Sequence, residues 1–307
     1  MGQTVTERRN FRNGLLFALP WILGFLAFSV YPLLSSLYYS FTKFNAVTTP
    51  EWVGLNNFKD IFSDPLVWKS LGNTLFMAFV SMPVTLATAL ILALIVTKNF
   101  RGKGLVRTVF FLPSVIPMVA ATMVWIWMFN PTYGYINQIL SWFGINGPAW
   151  LLDARFTKWA LVLMGSWNAG TTMLVCMAAL QEVPSSYYES ASIDGANALR
   201  KFFSISLPSI AHVLVYQAIL SFINTFQYFQ QVKIIVTANQ GLKGGSGGGG
   251  PENSILMYPL YLYQNGFEFL KMGKASAMAW LLFIVVAILT VVMTKASRKV
   301  TDSAGGE

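Results

Sequence analysis

Six apolar runs, each about 20 residues or longer and free of Asp, Glu, Lys and Arg, restrict the possible folds of this chain more than any other feature. At 1.5 Å of rise per residue, about 20 residues cross a hydrocarbon core of about 30 Å as a helix. Backbone groups inside lipid have no water to bind, so such runs must satisfy themselves as helices or close into a barrel. The runs lie near Leu15–Tyr39, Leu71–Thr97, Thr108–Phe129, Trp159–Leu180, Ser209–Val232 and Ala275–Thr294. Only 11% of the residues are charged, against about 25% in soluble domains. The predicted fold class is therefore all-α: a polytopic membrane protein with six transmembrane helices. The first run is too long for a signal-peptide core and has no small-residue cleavage pattern after it, so it reads as a retained span.

The formal charge of +9 reads as topology rather than as nucleic-acid affinity. Lys and Arg gather in cytoplasmic loops and ends. Twelve of the 21 fall in four polar segments: Arg8, Arg9 and Arg12; Lys98, Arg101, Lys103 and Arg107; Arg200 and Lys201; and Lys295, Arg298 and Lys299. The rest spread along longer loops. Both termini are thus expected in the cytoplasm. Residues 1–13 form a tail, 14–295 the membrane domain and 296–307 a second tail. On the opposite side, the segment from Phe44 to Ser70 mixes aromatics with turn residues, which suits short interfacial elements. Residues 240–254 hold a glycine tract, read as a variable external loop; a linker or a phosphate-gripping loop are the alternatives.

Absences narrow the function. No Asp, Glu, Lys or Arg sits within the body of a span, which disfavours carriers that bind their driving ion at a buried charge. Carriers that hold Na⁺ by carbonyls alone stay open. No G-x-x-x-x-G-K-[ST] loop is present to cradle a nucleotide, and His212, the only histidine, has no ligating partner one turn away. No Cys/His cluster, Ser-His-Asp set or membrane carboxylate pair occurs, so no catalytic residue, metal site or cofactor is expected on this chain. Cys176 lies alone inside the fourth run, which rules out a disulfide framework. A polytopic body without an energy source of its own needs one delivered by contact.

The polar segment 182–208 is the candidate for that contact. Pro184 suits a helix start, and Ser186 with Glu189 has the spacing of a capping box, which predicts a helix from about Tyr187 to Asp194. Gly195 suits a left-handed stop. Asn197 is then placed to cap a second helix carrying Leu199, Phe202 and Phe203 on one face, with Pro208 at the start of the fifth span. Tyr187, Ala191 and Asp194 would share one face of the first helix, and the small residues Ser190, Ala191 and Ser192 would let a partner approach closely. A lipid-surface helix usually carries more cations than Arg200 and Lys201, so a protein partner fits better.

Glu189, Ala191 and Gly195, nine further residues, then Ile205, Leu207 and Pro208 make the pattern E-x-A-x-x-x-G…I-x-L-P. It resembles the cytoplasmic EAA signature of permease subunits of bacterial ABC importers, with Ser190 in place of the usual second alanine. "VGLNNF", "LGNT", "RTVFFLPSVIP", "YGYIN", "GGGPENS" and "MGKASAMAWLL" are similar, in order, to the carbohydrate branch related to the maltose and glycerol-phosphate permeases. The resemblance implies a type I importer permease of six spans in the bacterial inner membrane. It implies four kinds of partner: a second permease, two cytoplasmic ATPase subunits that bind ATP and Mg, an extracytoplasmic sugar-binding protein, and membrane lipid. Glu189, Ala191, Asp194, Gly195, Ile205, Leu207 and Pro208 would then couple to the ATPase.

Substrate chemistry is read from the spans. A phosphate or carboxylate would want a buried cation, and none is available. Trp167, Asn168 and Thr172 on the fourth span offer neutral polar contacts, as do Asn224, Gln227 and Gln231 on the fifth. The last three recur at i, i+3 and i+7 as a stripe on one helix. Such residues also serve as interhelical hydrogen bonds; the resemblance favours substrate contact. Trp125 and Trp127 either line the path or anchor the outer membrane boundary, and anchoring is the preferred reading. The expected cargo is a neutral sugar, oligosaccharide or polyol, with glycerol phosphate or a stand-alone carrier as alternatives.

Overall fold

The structure, a computed structural model, describes residues 5–242 and 248–304. Three helical runs are long and apolar enough to cross a membrane unbroken: Arg9–Ser40, Pro65–Thr97 and Met272–Ser297. The other three predicted spans are each bent pairs. Lys103–Val115 meets Met118–Met128 at 100°, Ala154–Trp167 meets Gly170–Glu182 at 50°, and Ala198–Ser209 meets Ala211–Thr225 at 68°. Prolines account for the sharpest bend, since Pro113 and Pro117 in "LPSVIP" remove backbone donors and push their neighbours out of the helical region. The fifth predicted span, Ser209–Val232, is corrected: its helix ends at Thr225, and a new one runs Gln230–Leu242. The glycine tract lies partly at 243–247, outside the described residues.

The chain divides into two compact units. One contains the residues up to Asp64 together with Leu262–Phe283. Its first span carries a π-helical turn at Leu26–Val30 and leads into a two-residue antiparallel ladder, Thr42 opposite Trp52 and Lys43 opposite Glu51. A helix, Asn56–Ser63, follows. The expected interfacial elements are thus a small hairpin and one short helix. Asn57 of "VGLNNF" is buried and donates from Nδ2 to the carbonyls of Ser40 (2.9 Å) and Thr42 (2.8 Å). Gly273 of "MGK" donates its N–H to Phe44 O at 3.1 Å. A Cβ on Gly273 would lie 2.0 Å from Thr42 O, so only glycine permits this approach. Lys274 Nζ meets Asp64 Oδ2 at 2.6 Å, and Trp280 Nε1 donates to Ser36 Oγ at 3.1 Å.

The other unit contains Pro65–Tyr261 and the residues from Ile284 onward. Pro65–Thr97 is its scaffold, packed against Ala154–Trp167, Gly170–Glu182 and Ala211–Thr225. Ala89, Ala93, Ala169 and Ala179 let these helices approach closely around Met173, Cys176 and Met177, the small-residue packing by which helices associate in lipid. A second seam joins two motifs distant in sequence. Asn73 of "LGNT" donates from Nδ2 to Asn253 O (2.9 Å) and Leu256 O (3.0 Å), and Thr74 Oγ1 accepts from Tyr258 N (2.9 Å). Thr157 and Ser254 share a hydroxyl contact at 2.7 Å. Ile255, Leu256, Met257 and Tyr258 are buried beneath them.

Candidate functional site

The breaks in the third and fourth spans, and the one after the fifth, open onto one cavity of about 620 Å³. Irregular backbone at membrane depth is tolerated only inside protein or along a polar cavity, and here it lines one. Pro113, Ser114 and Ile116 come from the first break, Trp167 and Asn168 from the second, and Gln227, Tyr228 and Gln230 from the third. Gly170 fixes the crossing of the first two. A Cβ there would lie 2.5 Å from Ser114 Oγ and 2.8 Å from Phe110 O, so the two bends meet without room for a side chain.

All six residues expected to touch substrate, Trp167, Asn168, Thr172, Asn224, Gln227 and Gln231, line this cavity. The reason is not the one anticipated. Asn224 lies on the helix that ends at Thr225, Gln227 in the turn, and Gln231 on the next helix, so they form no stripe on one face. The end of one helix, the turn after it and the start of the next bring them to one cavity. Trp125 is also corrected: it lines the cavity and meets Trp167 edge-on, at 5.7 Å between centroids and 83° between planes. Trp127 is half exposed and packs on Tyr135. Ser81, Thr85, Ser221, Thr225 and Tyr228 add to the polar lining and were not singled out from the sequence. Among the described residues, no Asp, Glu, Lys, Arg or His lines the cavity.

The segment between the fourth and fifth spans forms two short helices. The first, Ser185–Ile193, starts at Pro184, with no side-chain cap. The predicted capping box therefore does not form: Ser186 sits inside the first turn rather than at its cap. Gly195 adopts φ +74°. Its N–H reaches Ser192 O (3.1 Å) and that of Ala196 reaches Ala191 O (2.9 Å), the paired bonds of a Schellman stop. Asn197 caps the next helix, Ala198–Lys201, by accepting from Arg200 N at 2.9 Å. Lys201 Nζ donates to Ser192 Oγ (2.6 Å), and Tyr188 and Ser206 share a hydroxyl contact (3.0 Å), which fold the two helices together. The inward face is Tyr188 and Ala191, not Tyr187, Ala191 and Asp194; Asp194 lies past the helix end. Pro208 sits two residues before the bend at Ile210, and Ile205, Leu207 and Pro208 are half-buried.

This segment presents apolar side chains outward. Ile193 is 88% exposed, Leu199 69% and Phe203 61%, among Glu189, Asp194 and Arg200. Exposed apolar residues with a mixed-charge rim suit a protein partner. His212 is exposed, and among the described residues no group of three His, Cys, Asp or Glu side chains is arranged to hold a metal.

Comparison with known proteins follows the same lines. Residues 85–301 match the family described as "Binding-protein-dependent transport system inner membrane component". The "Probable ABC transporter permease protein YesP" of Bacillus subtilis is 37% identical over 300 residues, covering 97% of this chain and 94% of that protein. The lactose transport system permease protein LacF of Rhizobium radiobacter is 32% identical, covering 94% of each. The trehalose/maltose transport system permease protein MalF of Thermococcus litoralis is 30% identical, covering 97% of this chain and 99% of that protein. Among solved structures, a chain of a bacterial alginate ABC transporter in complex with an alginate pentasaccharide-bound periplasmic protein superposes with a TM-score of 0.77. Its identity is 21%, over 96% of this chain and 97% of that one. At that identity the likeness is one of fold.

Proposed function

The chain belongs to the family of inner membrane components of binding-protein-dependent transport systems, and on that footing we propose that it carries a neutral oligosaccharide, sugar or polyol through the cavity between its broken spans. It is a transport subunit and not an enzyme. The observation that carries the substrate reading is the composition of the cavity: amides, hydroxyls and an edge-on tryptophan pair, with no Asp, Glu, Lys, Arg or His among its described lining residues. Neutral polyols need such donors, acceptors and aromatic faces. A phosphorylated cargo would lose its hydration without gaining a cation. The sugar-transport relatives support the same class.

The second half of the proposal concerns drive. ATP and Mg are handled by two partner ATPase subunits. These grip Glu189, Ala191, Asp194 and Gly195 through the exposed patch of Ile193, Leu199 and Phe203. Gly170–Glu182 joins that segment directly to the break at Asn168, so a pull on the short helices reaches the cavity along one rigid element. A second permease completes the path, an external binding protein delivers the cargo, and both termini face the cytoplasm, as the Lys and Arg clusters support.

Gly195→Pro tests the coupling. It removes the N–H that bonds Ser192 O and forbids the left-handed stop. In the complex reconstituted with its ATPase and binding-protein partners, ATP-driven uptake should fall at least about tenfold while ATPase subunits still hydrolyse ATP. Uptake at the wild-type rate would reject the coupling role.

A further inference from the structure

The turn that ends the fifth span does more than interrupt a helix. Gln227 N bonds Asn224 O at 3.0 Å and Tyr228 N bonds Thr225 O at 3.2 Å, turns that close the fifth span before Gln230 starts the next helix. Across this break the Tyr228 hydroxyl meets Gln231 and donates to its Oε1. Gln231 is only 8% exposed, and the surface it keeps belongs to the cavity. A carboxamide has one oxygen that accepts and one NH₂ that donates. Tyr228 occupies one of the two lone pairs of Oε1 and holds that end of the amide, so the NH₂ is the end that stays wholly uncommitted. Among the described residues no acceptor is bonded to it, and it is not among the buried atoms without a partner, Ser114 Oγ and Thr290 Oγ1. Asn168 and Asn224 differ: no side-chain hydrogen bond fixes either amide, so each can present whichever end a solute requires.

We propose that Tyr228 is a positioning residue that holds the Gln231 amide with its NH₂ toward the cavity, making this wall a binder of acceptor oxygens and a filter against groups that can only donate. Hydroxyl, ring-ether and glycosidic oxygens meet it favourably. An ammonium, such as that of an amino sugar, opposes donor to donor and loses its water without an acceptor in return. The proposal rests on the reading of this cavity as the solute path and adds to it a direction of hydrogen bonding. A phenylalanine at 228 would leave the turn intact and free the amide to rotate.

The test is equilibrium dialysis of the purified transporter complex, without the binding protein, so that only the membrane cavity selects. The probes are radiolabelled maltotriose, arabinotriose and lactose, the glucosamine trimer, and a uronate trimer. For the probe that wild type binds best, Tyr228→Phe is expected to weaken binding about tenfold and to shrink the preference over the glucosamine trimer by a similar factor. Gln231→Leu is expected to lose at least as much, and Tyr228→Phe in that background to add nothing. Gln231→Glu, which still accepts from Tyr228 but has no NH₂, should behave like Gln231→Leu with neutral probes. A purely structural tyrosine would lower binding equally in both backgrounds, and that result, or unchanged binding in Tyr228→Phe, would overturn the proposal. Wild-type binding of the uronate trimer alone would remove the neutral-sugar reading while the same cycle, run on the uronate, still judges Tyr228.

Discussion

The hollow beside Gly273 is walled by Lys43, Lys271 and Lys274 and by Glu51, Asp60 and Asp64, whereas the cavity between Trp125 and Gln231 has no Asp, Glu, Lys, Arg or His among its described lining residues. Both are polar and both are large, about 930 and 620 Å³. Their backbones differ as well. The charged hollow is framed by a hairpin, a short helix and a loop, with Asn57 and Gly273 stitching the frame. The neutral cavity is framed by helices that stop and restart. Where water is near, charge is cheap, and Lys274 can pair with Asp64. Where helices must break inside lipid, polarity is supplied by amides, hydroxyls and aromatic edges, which can serve a solute without trapping an ion. Under the proposed function, that difference separates a charged hollow from a solute path.

A charge placed in the neutral cavity is the harshest way to break that contrast. Asn168→Asp keeps the size of the side chain at the break of the fourth span and adds one negative charge. Burying a carboxylate at such depth costs about 3 kcal/mol, equivalent to about 100-fold. ATP-driven uptake in proteoliposomes should fall by about that factor, while the complex still elutes intact on size exclusion. Near-normal uptake would mean that the cavity is wetter than its lining implies, and that neutrality is no requirement of the path.

Much of this architecture was legible before the fold was known, and the losses have physical causes. The spans were legible because a charge-free run of about 20 residues has few uses other than crossing lipid. The breaks were not, because Pro113, Pro117 and Asn168 are compatible with a hydropathy pattern that averages over them. The periodicity of Asn224, Gln227 and Gln231 pointed to the right residues through a wrong helix: the spacing suits one face, but the helix ends at Thr225. Trp125 was misjudged because an aromatic near a span end looks alike in a membrane belt and in a cavity, and only the 100° bend distinguishes them. In the polar segment, Gly195 and Asn197 announced their roles, since few residues tolerate φ +74° or cap so well. The capping box failed because Pro184, with its fixed φ, started the helix too early for Ser186 to cap it.

Removing a charge from the other hollow should be milder, which sharpens the comparison. The Lys274 and Asp64 side chains are 14% and 16% exposed, so their pairing is partly desolvated. Asp64→Asn withdraws the carboxylate and leaves the ammonium in place. Breaking a fully buried pair costs about 3–5 kcal/mol, and this more accessible one should cost about 2 kcal/mol. The expected readout is a lower midpoint in thermal size-exclusion of the complex, with uptake per folded transporter within about twofold of wild type. Asp64→Leu combined with Lys274→Met should recover part of the midpoint, because well-packed apolar side chains can replace an ion pair. A large uptake defect in Asp64→Asn, without loss of stability, would give the charged hollow a part in transport.

A second ion pair sets the lower limit of the series. Asp153 accepts from Arg155 N at 2.9 Å and caps the helix Ala154–Trp167, while the Arg155 guanidinium reaches back to Oδ2 at 2.8 Å. The hydrogen bonds from that guanidinium, then the one from Arg155 N, hold the Asp153 carboxyl below the usual carboxylate range. A carboxyl lowered in the folded state adds stability above its unfolded value, near pH 4, and loses it as pH falls through the lower folded value. Both groups are open to solvent, so screening leaves little of that contribution. Between pH 7 and pH 3 the midpoint of Asp153→Asn should therefore track wild type to within about one degree, measured by thermal size-exclusion at each pH. Wild type losing its midpoint several degrees faster than the variant below pH 4 would show that this exposed pair holds the fourth span in place, and that distance from water is a poor guide to which charges in this chain matter.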